Sequence, residues 1–240
     1  MSLKNFKPGK AMALFFVFFF PILLCLGAWQ VQRGVDKTAM WDLHDLNKSS
    51  PPMNETEMSS LSGEDRDYRN ITLTGEYLPK TYFLDNRIYR QTAGYEVFSA
   101  FMSKNQELFL INRGWISKEQ AVNKDFDASS KKTVIVQGLY TPFKRFGLSL
   151  SNYSQTYEWP KIVQELDYEQ ASLDMGREEL HEAVIQLSAG SVGALEPIWS
   201  PTSFKPSRHY GYAVQWWGLA LVLVTSFLYF GFKRGSNENI

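Results

Sequence analysis

The chain of 240 residues lacks most of what small-molecule chemistry requires. It has one cysteine, Cys25, so it can form no disulfide of its own and has no C-x-x-C pair. Its three histidines, His44, His181 and His209, stand isolated, with no pair at metal-ligand spacing. There is no H-E-x-x-H, no phosphate-binding glycine loop and no G-x-S-x-G, so zinc-enzyme, kinase and hydrolase readings have no supporting feature. A basic excess is missing as well. Twenty-five basic and 25 acidic residues give a formal net charge of zero, which argues against bulk binding of nucleic acid. With 44% hydrophobic and 21% charged residues, the chain is not a disordered acidic polymer either.

The zero conceals an uneven arrangement. Residues 1–32 carry Lys4, Lys7 and Lys10 and no acid, and residues 209–240 carry Lys233, Arg234 and Glu238. The segment between is acidic. The apolar residues concentrate at the same two ends: neither Ala11–Gln32 nor His209–Phe232 contains an Asp, Glu, Lys or Arg. At about 1.5 Å per residue each run spans roughly 33–36 Å as a helix, enough for a hydrocarbon core of about 30 Å. Pro21 is tolerated in such a span. A cleaved signal would need a shorter apolar core and a small residue where Leu26 stands, and a lipoprotein signal would need one where Leu24 precedes Cys25. Both runs are therefore read as transmembrane helices, over 11–32 and 209–232.

The basic flanks orient them. Residues 1–10 and 233–240 are expected in the cytoplasm, or in the matrix of a mitochondrion, with 33–208 on the opposite, periplasmic side. The expected setting is the bacterial inner membrane, with both termini cytoplasmic. Asn54, Asn70 and Asn152 begin N-x-S/T triplets, to which no function is assigned.

The central segment is long enough for one core and reads as mainly β. Residues 33–47 continue the first helix. Residues 48–69, with Ser49-Ser50-Pro51-Pro52 and many acids, read as a mobile loop. Strands are predicted over 71–77, 81–88, 95–102, 107–111, 133–140, 161–166 and 183–187, with short helices at 117–123 and 167–175. The stretch from Ile71 to Pro79 echoes that from Val134 to Pro142, each with a strand glycine, then an aromatic, then a proline that ends the strand. The fold class expected is two transmembrane α-helices flanking a mainly β, α+β extracytoplasmic domain, barrel-like or a curled sheet.

His209 is the histidine with a setting. It opens the second apolar run, and helical spacing puts it on one stripe with Tyr212, Ala213, Trp216 and Ala220. An imidazole above an aromatic groove suits a flat apolar cofactor such as haem, and Arg33 and Arg208 lie at the same depth, where propionates would be met. The competing reading is that His, Tyr, Trp and Arg are interfacial anchors. Asp85-Asn86-Arg87 and Asn112-Arg113-Gly114-Trp115 put Asn-Arg at strand ends, either to bind an anion or partner or as turns with the arginine pinned by local carbonyls.

Several separated motifs occur in an order that resembles the Surfeit locus protein 1 family of cytochrome c oxidase assembly factors. They are Leu26-Gly27-Ala28-Trp29-Gln30-Val31-Gln32-Arg33, Gly75-Glu76-Tyr77, Leu84-Asp85-Asn86-Arg87, Gly94-Tyr95-Glu96-Val97, Leu110-Ile111-Asn112-Arg113-Gly114-Trp115-Ile116 and the H-x-x-Y-A-x-Q-W element from His209 to Trp216. The resemblance implies an assembly factor, not an enzyme. It implies partners in oxidase subunit I, haem a synthase and the lipid bilayer, and transient contact with haem a. The family's implicated histidine falls on His209, which makes it a possible haem-iron ligand, with Tyr212, Trp216, Trp29 and Arg33 around the porphyrin. Arg87, Arg113 and Trp115 would face subunit I. Gly211 departs from the bulkier residue often found in the family. The alternative is a scaffold that stabilises subunit I through protein contacts alone.

Overall fold

The computed structural model of the protein describes residues 6–123, 132–147, 158–176, 180–202 and 204–237; Lys4 and Asn152 lie outside them. The chain divides into two compact units, Met1–Asp42 with Pro201–Ile240, and Leu43–Ser200.

Helix α1 (Lys10–Ser49) carries the first apolar run and continues through 33–47, as the pattern predicts, with Pro21 inside it. The segment read as a mobile loop is instead two short helices, α2 (Glu55–Ser60) and α3 (Gly63–Arg66). Two features of the sequence account for the difference. Asn54 and Glu57 close a reciprocal capping box on α2. Met53 and Met58, both 1% exposed, anchor the segment in the sheet's core. Asn47 fastens it further by donating from Nδ2 to the Glu64 and Asp67 carbonyls, at 3.0 and 2.7 Å.

Strands β1 (Asn70–Tyr89), β2 (Thr92–Ser103) and β3 (Leu108–Ser117) follow, then α4 (Lys118–Asn123), β4 (Val134–Pro142), β5 (Phe146–Gly147), β6 (Lys161–Val163), β7 (Glu165–Leu166), α5 (Tyr168–Met175), β8 (Leu180–Leu187) and α6 (Pro206–Asn237). Six strands form one mixed sheet in the order β2-β3-β8-β4-β1-β6, while β5 and β7 pair separately. β1 pairs with β4 over Asn70–Gly75 and with β2 from Gly75 to Tyr89. The sheet therefore curls without closing into a barrel. The two echoing segments turn out to be neighbours, with Ile71 opposite Gly138 and Leu73 opposite Val136.

Both sheet faces are covered, which is why the central strands read as continuous apolar runs. On β3, Phe109 and Ile111 face a core with Met53, Met58, Leu73, Phe101, Val136 and Ile185. Leu108 and Leu110 face a second core with Tyr82, Phe98, Val163, Val184 and Met175 of α5.

Pro79 does not end its strand, contrary to the sequence expectation. β1 runs through it with a register shift between Tyr77 and Thr81, the kind of irregularity that accommodates a residue without an N–H. Asn86 (φ 60°) sits in a second shift, between Leu84 and Arg87. The β1–β2 hairpin closes on Arg90 and Gln91, with φ of 47° and 65°. Both lie in the left-handed region that favours glycine. Gln91→Gly is accordingly expected to stabilise the domain by about 0.5–1 kcal/mol, visible as a raised thermal midpoint.

Candidate functional site

In the first unit α1 and α6 both have the length and composition to cross a membrane. Only 6% and 11% of their most apolar 18-residue windows are buried, unlike the core helix of a soluble protein. Their seam is built on small residues. A Cβ on Gly27 would fall 2.1 Å from Trp217 Nε1, and one on Gly34 2.7 Å from the Tyr210 ring. Ala213 and Ala220 are buried on the facing side of α6. Glycine at 27 and 34, seven residues apart, thus lets two aromatic rings lie on the α1 backbone. Trp41 Nε1 donates to Thr202 Oγ1 at 2.9 Å, and the Phe16 and Phe227 rings stack at 4.2 Å.

His209 sits at one rim of this seam, with Nδ1 2.9 Å from Gln30 Oε1. A carbonyl oxygen only accepts, so Nδ1 carries a proton, and in the neutral ring the lone pair is then on Nε2. That is the tautomer and the orienting contact of a metal-binding imidazole. Gln30 was missed as a site residue by sequence reasoning, although it stands inside the quoted W-Q element. The missing information was the contact across 179 residues.

The other expected porphyrin neighbours divide. Trp216, seven residues from His209, shares its stripe and is half-buried. Tyr212 lies at the stripe's edge, 51% exposed. Trp29 does not join them. At about 100° per residue it lies some 200° from Gly27, on the far side of α1. It is 53% exposed there, and its partner is the Arg33 guanidinium 5.9 Å from its ring. The expectation that Trp29 and Trp216 share one groove is corrected by this geometry.

In the second unit the Asn-Arg motifs sit at irregularities inside strands rather than at strand ends. Arg113, 7% exposed, donates from Nε to the Gly193 carbonyl at 2.8 Å and lies 5.2 Å from the Tyr77 ring centroid. Arg87 pairs with Glu96 at 3.0 Å, and its carbonyl accepts from Trp115 Nε1 at 3.0 Å. Buried Asn112 donates from Nδ2 to Glu96 and to Gln186, both at 2.7 Å. Gly114 has a φ of 107°, and a Cβ there would meet the Glu196 carbonyl oxygen at 2.5 Å, so this position admits only glycine. The N-R-G-W element is thus a joint that locks β3 to the 193–196 segment. Arg113 is turned into its own domain, while Arg87 keeps 29% of its side chain exposed beside Glu96. Trp115 is half-buried, with part of its surface open.

Burial of Tyr77, opposed by Arg113, pushes its phenol up to about 12. The same burial holds the Arg113 guanidinium below its ordinary value. A phenol whose folded pKa is raised favours folding below its ordinary value near 10, and the contribution is lost as pH rises towards 12. In an ultraviolet tyrosinate titration of the folded protein at pH 11, Tyr77→Phe should therefore remove almost no signal.

The remaining histidines have structural settings. His44 is buried beside Tyr68 and Trp199, with Nδ1 2.9 Å from Asp45. His181 stacks on Phe109, and burial holds its pKa low. Among the described residues no group of three His, Cys, Asp or Glu side chains is placed to hold a metal ion.

Comparison with known proteins covers both units. A model of the SURF1 family matches residues 17–221, from within α1 to within α6. A SURF1-like protein of Rickettsia felis is 24% identical over 215 residues, which is 87% of this chain and 92% of that protein. SURF1-like proteins of Rickettsia conorii and Rickettsia prowazekii are also 24% identical, over 216 and 224 residues. These alignments cover 87% and 91% of this chain, and 86% and 88% of the two relatives.

Proposed function

Because this chain belongs to the SURF1 family, we propose that it is a membrane-anchored assembly factor for cytochrome c oxidase that holds haem a on its way into subunit I. The observation that carries the haem reading is the Gln30–His209 contact, which orients the imidazole so that Nε2 is the nitrogen available to iron. Haem a is the cargo here, not a resident cofactor, and the chain performs no bond-making chemistry on it. One imidazole gives a weak hold, which suits release better than a closed pair of ligands. Trp216 and Tyr212 supply apolar and aromatic surface on the His209 side of α6, whereas Arg33, stacked on Trp29, is turned away from it. In this reading haem a arrives within the bilayer from its synthase. The protein lies in the bacterial inner membrane, termini in the cytoplasm and the β-domain in the periplasm, where it meets subunit I.

A deletion strain tests the assembly role. Oxidase activity and the level of haem-loaded subunit I should both fall, and both should return when the gene is restored. An unchanged oxidase would sink the proposal. A scaffold that works by protein contacts alone would restore the oxidase equally well with alanine at position 209.

A further inference from the structure

A second site lies in the β-domain and shares no residue with the proposed haem site. The tip of the β1–β2 hairpin, the end of β3 and the segment after β8 enclose a pocket of about 600 Å³. That volume is within the range of ligand-binding clefts, about 300–1,000 Å³. Tyr89, Arg90, Trp115, Ile116, Leu195 and Glu196 line it. The Tyr89 and Trp115 rings stand 5.4 Å apart, tilted by 56°, and form two aromatic walls. Glu196 supplies the charge, with Oε1 accepting from the Tyr89 hydroxyl at 2.8 Å. Two angled aromatic faces and a carboxylate are the chemistry that holds a guanidinium or an ammonium group.

The chain's own Arg90 samples that chemistry. Its guanidinium carbon lies 5.1 Å from the Tyr89 ring centroid, and Nη2 is 3.9 Å from Glu196 Oε1, too far for a hydrogen bond. Its side chain is 79% exposed. Arg90 is held there by two consecutive left-handed residues, itself and Gln91, a conformation that neither residue type favours. The interaction is loose, and its geometry is displaceable.

We propose that this pocket binds the cationic side chain, arginine or lysine, of a partner polypeptide, and that Arg90 is its intramolecular competitor. The volume exceeds what one guanidinium fills and leaves room, over Ile116 and Leu195, for residues flanking the cation. This assignment is independent of haem and of the oxidase, and it stands or falls separately from them.

The test uses the full-length protein in detergent, labelled with 5-fluorotryptophan, with the Trp115 resonance assigned by Trp115→Phe. N-acetylargininamide should shift that resonance saturably, and its neutral isostere N-acetylcitrullinamide should not. Glu196→Gln should weaken the arginine response about tenfold. Arg90→Ala, at an exposed position that folding does not need, should strengthen it severalfold. Equal responses to the arginine and citrulline compounds, or an Arg90→Ala variant that binds no better than wild type, would overturn the proposal. Methylguanidinium binding as tightly as N-acetylargininamide would overturn the assignment to a polypeptide side chain.

Discussion

Replacing His209 by alanine is expected to cut the haem a retained by the purified protein by tenfold or more, without unfolding the helix pair. The seam rests on Gly27, Gly34, Ala213 and Ala220 and on the Phe16–Phe227 stack, none of which involves the imidazole. The loss therefore reports ligation, not packing. Gln30→Leu removes the acceptor that fixes the Nδ1–H tautomer. Removing such an orienting partner typically costs about 10–100-fold in metal affinity, so a smaller residue of haem should survive, with a shifted absorption band. Gln30→Glu keeps an acceptor at the same place and should restore most of the binding. Wild-type haem content in His209→Ala would show that the histidine is only an interfacial anchor.

The second large effect concerns the β-domain. Lys161 Nζ and Asp174 Oδ1 pair at 2.7 Å, with side chains only 6% and 10% exposed. Asp174 also accepts from the Tyr82 hydroxyl at 2.9 Å and from Gln170 Nε2 at 3.0 Å. Lys161→Ala leaves this carboxylate buried with two neutral donors and no cation. Breaking such a pair from one side costs about 3–5 kcal/mol. For a domain of this size that corresponds to a thermal midpoint lowered by roughly 6–20 °C. The double variant Lys161→Met/Asp174→Leu should recover a good part of the loss, since no uncompensated charge remains. Calorimetry of the detergent-purified protein checks both, and a shift of less than about 2 °C in Lys161→Ala would show that the pair contributes little.

The elements legible in the sequence were those with a local cause. The two apolar runs announce themselves by the absence of charge, and the predicted strands fall on observed ones, with 71–77 and 81–88 joined in β1 and 161–166 divided between β6 and β7. α4 and α5 were readable from their caps: Ser117 Oγ accepts from Gln120 N at 3.2 Å, and Asp167 Oδ1 from Gln170 N at 2.8 Å. What could not be read depended on distant partners. The 48–69 segment is polar and proline-containing, yet it folds because two methionines reach the core. Pro79 ordinarily stops a strand, but here it falls in a register shift against β2, which pairs with β1 before and after it. Arg87 and Arg113 look like binding residues in a string of letters. Their contacts with Glu96, Gly193 and Tyr77 give them structural work that the letters do not announce. At the proposed haem site the histidine is legible from its place at the membrane boundary, whereas the Gln30 contact depends on α1 and α6 lying side by side.

The haem spectrum of the wild-type protein, purified from cells that synthesise haem a, tests the central claim most directly. Haem a is expected to co-purify in a sub-stoichiometric but reproducible amount, with the absorption of an imidazole-ligated iron. Protein that co-purifies with subunit I but carries no haem a of its own would contradict it.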